Sequence, residues 1–336
     1  MFRQTAVRIR GLVLLGVLAS LLAVACGLAP RAAQQPLKVR IGYQKTTTAP
    51  FVFIAKAQGG FEKAGVEVEW IDLPPQRVME AIAAGSIDTG LLPGPSFLTG
   101  YEKGVDARLV LHLAGWSDPA STFFARADSG INGVPDLRGK KIGISTYGGN
   151  FDLYLRHMLE QNGLDPRRDV QILEVPIPAI YPALDTRQID LGVVSPELVS
   201  AAEETFPGKF QPVFSFRDIP GIGDRPQTNN IMLAMSNNFL KNNRAAAKAF
   251  LKVVLDTQAW GYRNVQEAQR VWAEEAGFPA VLKLKDPFGP DTRGKLDLPT
   301  LELQIGLMNR YGYLKQALAV KDVVDESLTD EINAGK

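Results

Sequence analysis

Apolar positions along the chain switch between two periods. From Val39 to Leu73 the sequence reads VRIGY, a short strand-like run, then a polar loop, QKTTTAP. FVFIAKAQGGFEKAG follows with helix-like spacing and stops at Gly65, and VEVEWIDL alternates as a strand again. A strand repeats every two residues and a helix every 3.6, so this is a β-loop-α-β unit. From Lys140 to Val175 the pattern returns: KKIGI, the loop STYGGN, a helix-like run that stops at Gly163, and the strand QILEV. Both first strands carry Ile-Gly, and both loops are rich in Thr or Gly, the residues of polar turns.

A phrase is also doubled. IDTGLLPGPS spans Ile87 to Ser96, and IDLGVVSPEL spans Ile189 to Leu198. Each follows a helix-like stretch and reads as a buried strand that runs into a Pro-containing loop, Gly94-Pro95-Ser96 or Ser195-Pro196-Glu197. Strands alternating with helices predict an α/β fold with largely parallel sheets, here in two lobes around a central cleft. Ligands of such sheets bind beyond the carboxyl ends of the strands, so the repeated phrase is expected to build one wall of the cleft in each lobe. Ser121–Arg126 (STFFAR) and Asn229–Ser236 (NNIMLAMS) read as the two crossings, and hence as hinge strands. They divide the body into one lobe of residues 37–122 plus 230–336 and a second of 123–229. The helical tail, NNRAAAKAFLKVVLDTQAW and NVQEAQRVWAEEA, is assigned to the first lobe as a cover for its sheet.

The N-terminus has a different character. Arg3, Arg8 and Arg10 precede an apolar run from Gly11 to Ala25, the plan of a secretory signal over residues 1–25. Cys26, the only cysteine, ends LAVAC, which resembles a bacterial lipobox although Ala23 stands where leucine is commonest. The reading is a lipidated Cys26 and a tether over residues 26–36, giving an extracytoplasmic protein anchored to the cell membrane. A lone cysteine leaves no intrachain disulfide. The remaining composition, 46% hydrophobic and 22% charged with a net charge of +1, is that of a globular body without a basic stripe, so nucleic acid is not expected as a partner.

Candidate contacts cluster in the loops after the strands. Tyr43 and the hydroxyls of Thr46, Thr47 and Thr48 follow the first strand, with Phe51 just beyond; the threonines also suit a helix cap. Gly94, Pro95 and Ser96 open a helix whose free N–H groups favour electron-rich ligand atoms, or else form a plain turn. Thr146, Tyr147, Gly148, Gly149 and Asn150 form a loop in which the glycines admit a ligand to the backbone and Tyr147 can stack. Trp116 and Ser117 follow another strand; Trp116 reads equally as cleft wall or core anchor. Pro196, Glu197 and Asn229, with its neighbour Asn230, complete the set, although Glu197 is also an ordinary first-turn helix charge.

The motifs taken in order resemble those of type II periplasmic binding proteins, in the branch serving nitrate, sulfonate, taurine and thiamine-precursor transporters. The likeness is carried by APFVFIAKAQGGFEKAGVEVEW, AIAAGSIDTG and DLRGKKIGI, and covers about residues 38 to 260. It implies two Rossmann-like lobes that close on a small molecule by hinge motion, an ABC-importer permease as partner, no cofactor or metal, and a monomer without catalysis. The aromatic candidates and scarcity of cations favour an aromatic heterocycle, such as a thiamine precursor or riboflavin; aliphatic sulfonate, taurine or nitrate is the alternative. An enzyme on the same fold, like a pyrimidine-precursor synthase, is the competing class. Desulfinase-type chemistry needs a cleft cysteine, which Cys26 does not supply. His112 in a strand pattern and His157 in a helix pattern read as packed or surface residues, and no H-E-x-x-H, C-x-x-C or G-x-S-x-G motif is present.

Overall fold

The computed structural model describes residues 36–44, 49–114, 120–225, 230–277 and 279–335. The leader, Cys26, Thr46, Thr47, Thr48, Trp116, Ser117 and Asn229 lie outside them. The chain starts with β1 (Leu37–Tyr43), α1 (Pro50–Ala57), α2 (Gly60–Lys63), β2 (Val66–Asp72), α3 (Pro75–Ala83), β3 (Thr89–Leu92), α4 (Gly94–Glu102) and β4 (Ala107–Ala114). It continues with β5 (Thr122–Arg126), β6 (Lys141–Ile144), α5 (Asn150–Gln161), β7 (Gln171–Glu174), α6 (Ile180–Asp185), β8 (Leu191–Val194), α7 (Pro196–Thr205) and β9 (Phe210–Ser215). Then come β10 (Ile231–Ser236), α8 (Asn237–Asn242), α9 (Arg244–Arg263), α10 (Val265–Ala276), α11 (Leu298–Tyr311), α12 (Val320–Val323) and α13 (Ser327–Asn333).

The strands form two five-stranded sheets of the same plan, β2-β1-β3-β10-β4 and β7-β6-β8-β5-β9. In each, the first three strands are parallel neighbours and the fourth is antiparallel to both of its own neighbours. The antiparallel strands are β5 and β10, the two segments read as crossings. The register explains why they run backwards. Near the start of β10, Met232 lies opposite Leu92 at the carboxyl end of β3, and β5 starts with Thr122 opposite Val194, at the carboxyl end of β8. A chain arriving from the other sheet joins at the edge where the parallel strands end, so it travels against them.

The doubled phrase proves to be a strand clamp at its start. Asp88 accepts the backbone N–H of Arg40 at 2.9 Å, and Asp190 accepts that of Lys141 at 2.9 Å. The amides of the two aspartates return bonds to the carbonyls of the same residues. Two positions later, Gly90 and Gly192 leave room for the covering helices: a Cβ at Gly90 would sit 2.5 Å from Val78, and one at Gly192 would sit 2.6 Å from Ile180. Ile87 and Ile189 lie equally close over Gly42 and Gly143. The phrase recurs because each sheet solves one packing problem, docking a helix tightly on a parallel pair.

Two predicted ligand contacts belong to the core. Tyr43 is buried, with its ring edge-on to Trp70 at 5.5 Å and to Phe53 at 6.0 Å. Phe51 is 2% exposed and packs against Phe288 at 4.9 Å, with Gly261 close above it. Strand alternation puts Tyr43 on the face of Val39 and Ile41, and α1 is buried from Pro50 through Ala55, so it has no open face on which to offer Phe51. Burying a ring of this kind contributes about 1.5–3 kcal/mol.

α9 and α10 cover the first sheet, with Phe250 stacked on Phe61 at 4.8 Å. α11 instead joins the two halves. One apolar cluster holds Phe97 and Leu98 of α4, Leu301, Ile305 and Met308 of α11, and Tyr154 and Met158 of α5. An ion pair from Arg310 to Glu160 at 3.0 Å ties the same helices at the surface.

Candidate functional site

β3 and β6 end at one cavity of about 550 Å³. α4 follows β3 directly, capped by Pro93, and presents Pro95, Ser96, Thr99 and Lys103 to the cavity. From the second sheet, the loop Ser145–Gly149 and the first turn of α5 form the facing wall, while Asn230 and Tyr313 close the cavity between them. Of the predicted contacts, the structure brings Pro95, Ser96, Thr146, Tyr147, Gly148, Gly149 and Asn150 together here. Gly94 lies just behind the wall, where a Cβ would stand 2.4 Å from Gln304 Oε1. Pro196 and Glu197 are not among the described lining. Glu197 is 4% exposed and takes part in packing, and α7 lies beside the 3-10 turn Pro279–Lys283, so this end of the second copy does not mirror the first.

The glycine loop is less open to a ligand than its composition implies. Gly148 adopts φ +71°, the left-handed region that glycine enters at little cost, and the Tyr313 ring lies 3.0 Å from where a Cβ would be. The amide of Tyr147 donates to Glu174 Oε1 at 2.7 Å, and that of Gly148 donates to Asp152 Oδ2 at 2.9 Å. Two carboxylates of the protein thus already occupy two of the amide donors of this loop. The Tyr147 hydroxyl donates to the Ile172 carbonyl at 2.7 Å, which pins its ring along β7, half-exposed at the cavity edge.

Asp152 anchors this corner. It is fully buried, accepts from Arg156 Nε at 2.7 Å and from the Tyr313 hydroxyl at 2.5 Å. Burial, and then the Asp152 carboxylate, push the Tyr313 hydroxyl up to about 12. Deeper in, Gln304 donates from Nε2 to Asn150 Oδ1 at 3.1 Å and to the Tyr154 hydroxyl at 2.8 Å. Burial raises the Tyr154 hydroxyl strongly, so it stays neutral.

Sequence reasoning missed Thr99, Lys103, Tyr313 and Gln304. Ser96 and Thr99 on α4 and Lys103 at its C-terminal end follow helical spacing on one face, a pattern present in the sequence. Tyr313 and Gln304 gave no such signal, because they reach the site from far along the chain, Gln304 on α11 and Tyr313 in the turn after it. His112 lies buried in β4, and His157 Nε2 sits 3.1 Å from the Pro220 carbonyl; neither is among the described lining.

Two matching mixed sheets joined by two crossings, with a cavity where their strands end, define a type II periplasmic binding protein fold. Comparison with solved structures agrees. The periplasmic aliphatic sulphonate binding protein SsuA of Escherichia coli superposes with a TM-score of 0.70 at 20% identity, covering 86% of this chain and 92% of that one. The periplasmic nitrate-binding protein NrtA of Synechocystis PCC 6803 superposes with a TM-score of 0.72 at 16% identity, covering 90% and 89%. A candidate thiamine biosynthesis protein of Haemophilus influenzae is 25% identical over 312 residues, 88% of this chain and 94% of its own. The NMT1/THI5-like family matches residues 46–268, and the chain belongs to that family.

Proposed function

We propose that this protein is an extracytoplasmic solute-binding protein that captures an aromatic heterocycle, such as a thiamine-precursor pyrimidine or riboflavin, and delivers it to an ABC-importer permease. The observation that carries the choice of ligand is the occupied loop: Glu174 and Asp152 hold the amides of Tyr147 and Gly148. A bare oxyanion at these two amides would have to displace carboxylates, and elsewhere along the loop it would still sit near them, which like-charge repulsion opposes. A flat neutral ring needs no such donors and can lie against Tyr147, Tyr313 and Phe151 in the same cavity. The family membership and the thiamine-related name of the Haemophilus relative support this reading.

Lys103 favours a second reading, an aliphatic sulfonate, taurine or nitrate, since it is the one cation in the described lining. Glu80 lines the same cavity and offsets it. Binding rather than catalysis is the role in this reading, supported by the binding proteins SsuA and NrtA among the structures this chain resembles. Cys26 would carry the lipid anchor, and the unit would act as a monomer.

The test is native mass spectrometry of the chain from Cys26 onward, followed by thermal shift with riboflavin, 4-amino-5-hydroxymethyl-2-methylpyrimidine, taurine, butanesulfonate and nitrate. A ligand that binds only the folded state raises its melting temperature. Stabilisation by a heterocycle alone supports the proposal. Stabilisation by a sulfonate or nitrate alone transfers the function to the second reading.

A further inference from the structure

A chain of side-chain amides runs from the protein interior to the cavity. It begins at Gln304, fully buried on α11, whose Oε1 faces Gly94 while its Nε2 donates to the Tyr154 hydroxyl and to Asn150 Oδ1. Asn150, 8% exposed, uses its other end: Nδ2 donates to Asn230 Oδ1 at 3.0 Å. Asn230 lines the cavity. A side-chain amide has one accepting end and one donating end. With its oxygen held by Asn150, Asn230 is left with Nδ2, which donates to no described residue. Gly94 is what lets Gln304 reach this position, since a Cβ there would collide with Oε1.

We propose that this relay fixes Asn230 Nδ2 as a hydrogen-bond donor facing the ligand, and that it selects ligands presenting an acceptor atom at that point, a ring nitrogen or a carbonyl. Asn230 is the specificity-determining residue, and Gln304, which touches no ligand, is a positioning residue that sets the direction of the amides. The proposal rests on the reading of this cavity as the ligand site. A ligand offering only an ammonium group there meets a second donor and is rejected, because a buried donor left without a partner is costly.

The direction of the relay is open to reversal. In Gln304→Glu a carboxylate replaces the donor, so Asn150 must turn Nδ2 inward to reach it. Asn230 then donates to Asn150 and shows its oxygen to the cavity. Gln304→Met keeps the volume and removes the instruction altogether. Asn230→Asp keeps the bond from Asn150 but replaces the outward donor with an acceptor.

The experiment measures calorimetric binding of the pyrimidine, riboflavin and taurine to the parent and the three variants, with side-chain amide exchange followed by nitrogen-15 NMR in the ligand-free proteins. Each variant is expected to lose at least roughly tenfold in affinity for the heterocycle the parent binds. The amide protons of Asn150 and Gln304 are expected to exchange slowly in the parent and those of Asn230 quickly, and Gln304→Met is expected to release Asn150. Unchanged affinity in Asn230→Asp and Gln304→Met, with the parent binding normally, overturns the relay while the function stands. A parent that binds none of the probes defeats the proposed ligand class instead. In that case the exchange data still decide: Asn150 protons exchanging as fast as those of Asn230 overturn the relay, and slow exchange that Gln304→Met releases supports it. If Gln304→Glu does not fold, the other two variants carry the test.

Discussion

Asp88 and Asp190 hold the same position in two different sheets, each carboxylate accepting a backbone N–H from the neighbouring strand at 2.9 Å, from Arg40 and from Lys141. They differ in what else they hold. Asp88 also receives the Arg40 guanidinium at 2.7 and 3.1 Å, while Lys141 gives Asp190 only its amide. The side-chain bond to Asp88 in turn raises the pKa of Arg40. Asp88→Ala is therefore expected to cost about 2 kcal/mol and Asp190→Ala about 1 kcal/mol, in line with hydrogen bonds to charged groups. Denaturant unfolding of the two variants checks the order; equal losses would show that the guanidinium adds nothing.

The glycines two residues further on make a packing prediction. Gly90→Ala would press its Cβ on Val78, and Gly192→Ala would press on Ile180. Each is expected to destabilise by about 1–3 kcal/mol, the usual cost of overpacking. Adding Val78→Ala to Gly90→Ala should recover part of the loss, so the double variant falls short of the sum of the singles. Full additivity in a denaturant titration would mean that the helix shifts rather than the side chain.

These residues show what could be read from the sequence and what could not. The repeat of Ile-Asp-x-Gly was plain, and so was the pair of α/β units it belongs to. Its purpose was not, because a carboxylate clamping a strand amide 48 residues away leaves no local pattern. Tyr43 and Phe51 were misread by loop position although their periodicity was informative: Tyr43 continues the buried face of Val39 and Ile41, and Pro50–Ala55 is apolar on nearly every side. The glycine loop was found, but the carboxylates that fill its amides come from β7 and from one turn into α5. α11 was hidden for another reason. Its role depends on touching both halves, which only the folded chain brings within reach.

Tyr313 and Asp152 make a pH-sensitive tie between the end of α11 and α5. Burial, with help from the carboxylate, lifts the Tyr313 hydroxyl to about 12, above an ordinary tyrosine near 10. A raised acid stabilises the fold fully below its unfolded pKa, and that contribution is lost as pH rises through the folded one. Stability should thus fall between about pH 10 and 12 more steeply in the parent than in Tyr313→Phe. Melting temperatures across that window, with tyrosinate absorbance recorded alongside, test the point; parallel curves would assign the alkaline loss to other groups.

The charge of the cavity separates the two ligand readings most directly. Lys103 lines it from α4, Glu80 lines it from α3, and Glu174 sits on the Tyr147 amide. An oxyanion held here would lean on Lys103 and be opposed by Glu174. In that case Lys103→Met would weaken binding by roughly tenfold, Glu174→Gln would strengthen it, and affinity would fall as salt screens the pair. A heterocycle makes the opposite demand. Its affinity should change by less than about threefold in Lys103→Met and stay nearly flat with salt, because stacking and a neutral hydrogen bond are weakly screened. Glu174→Gln should then weaken binding modestly, since a neutral amide holds the Tyr147 N–H, and with it the loop, less firmly than a carboxylate. Calorimetry of both variants at low and high salt gives opposite signs for Glu174→Gln under the two readings, so that sign decides between them even where the absolute affinities are similar.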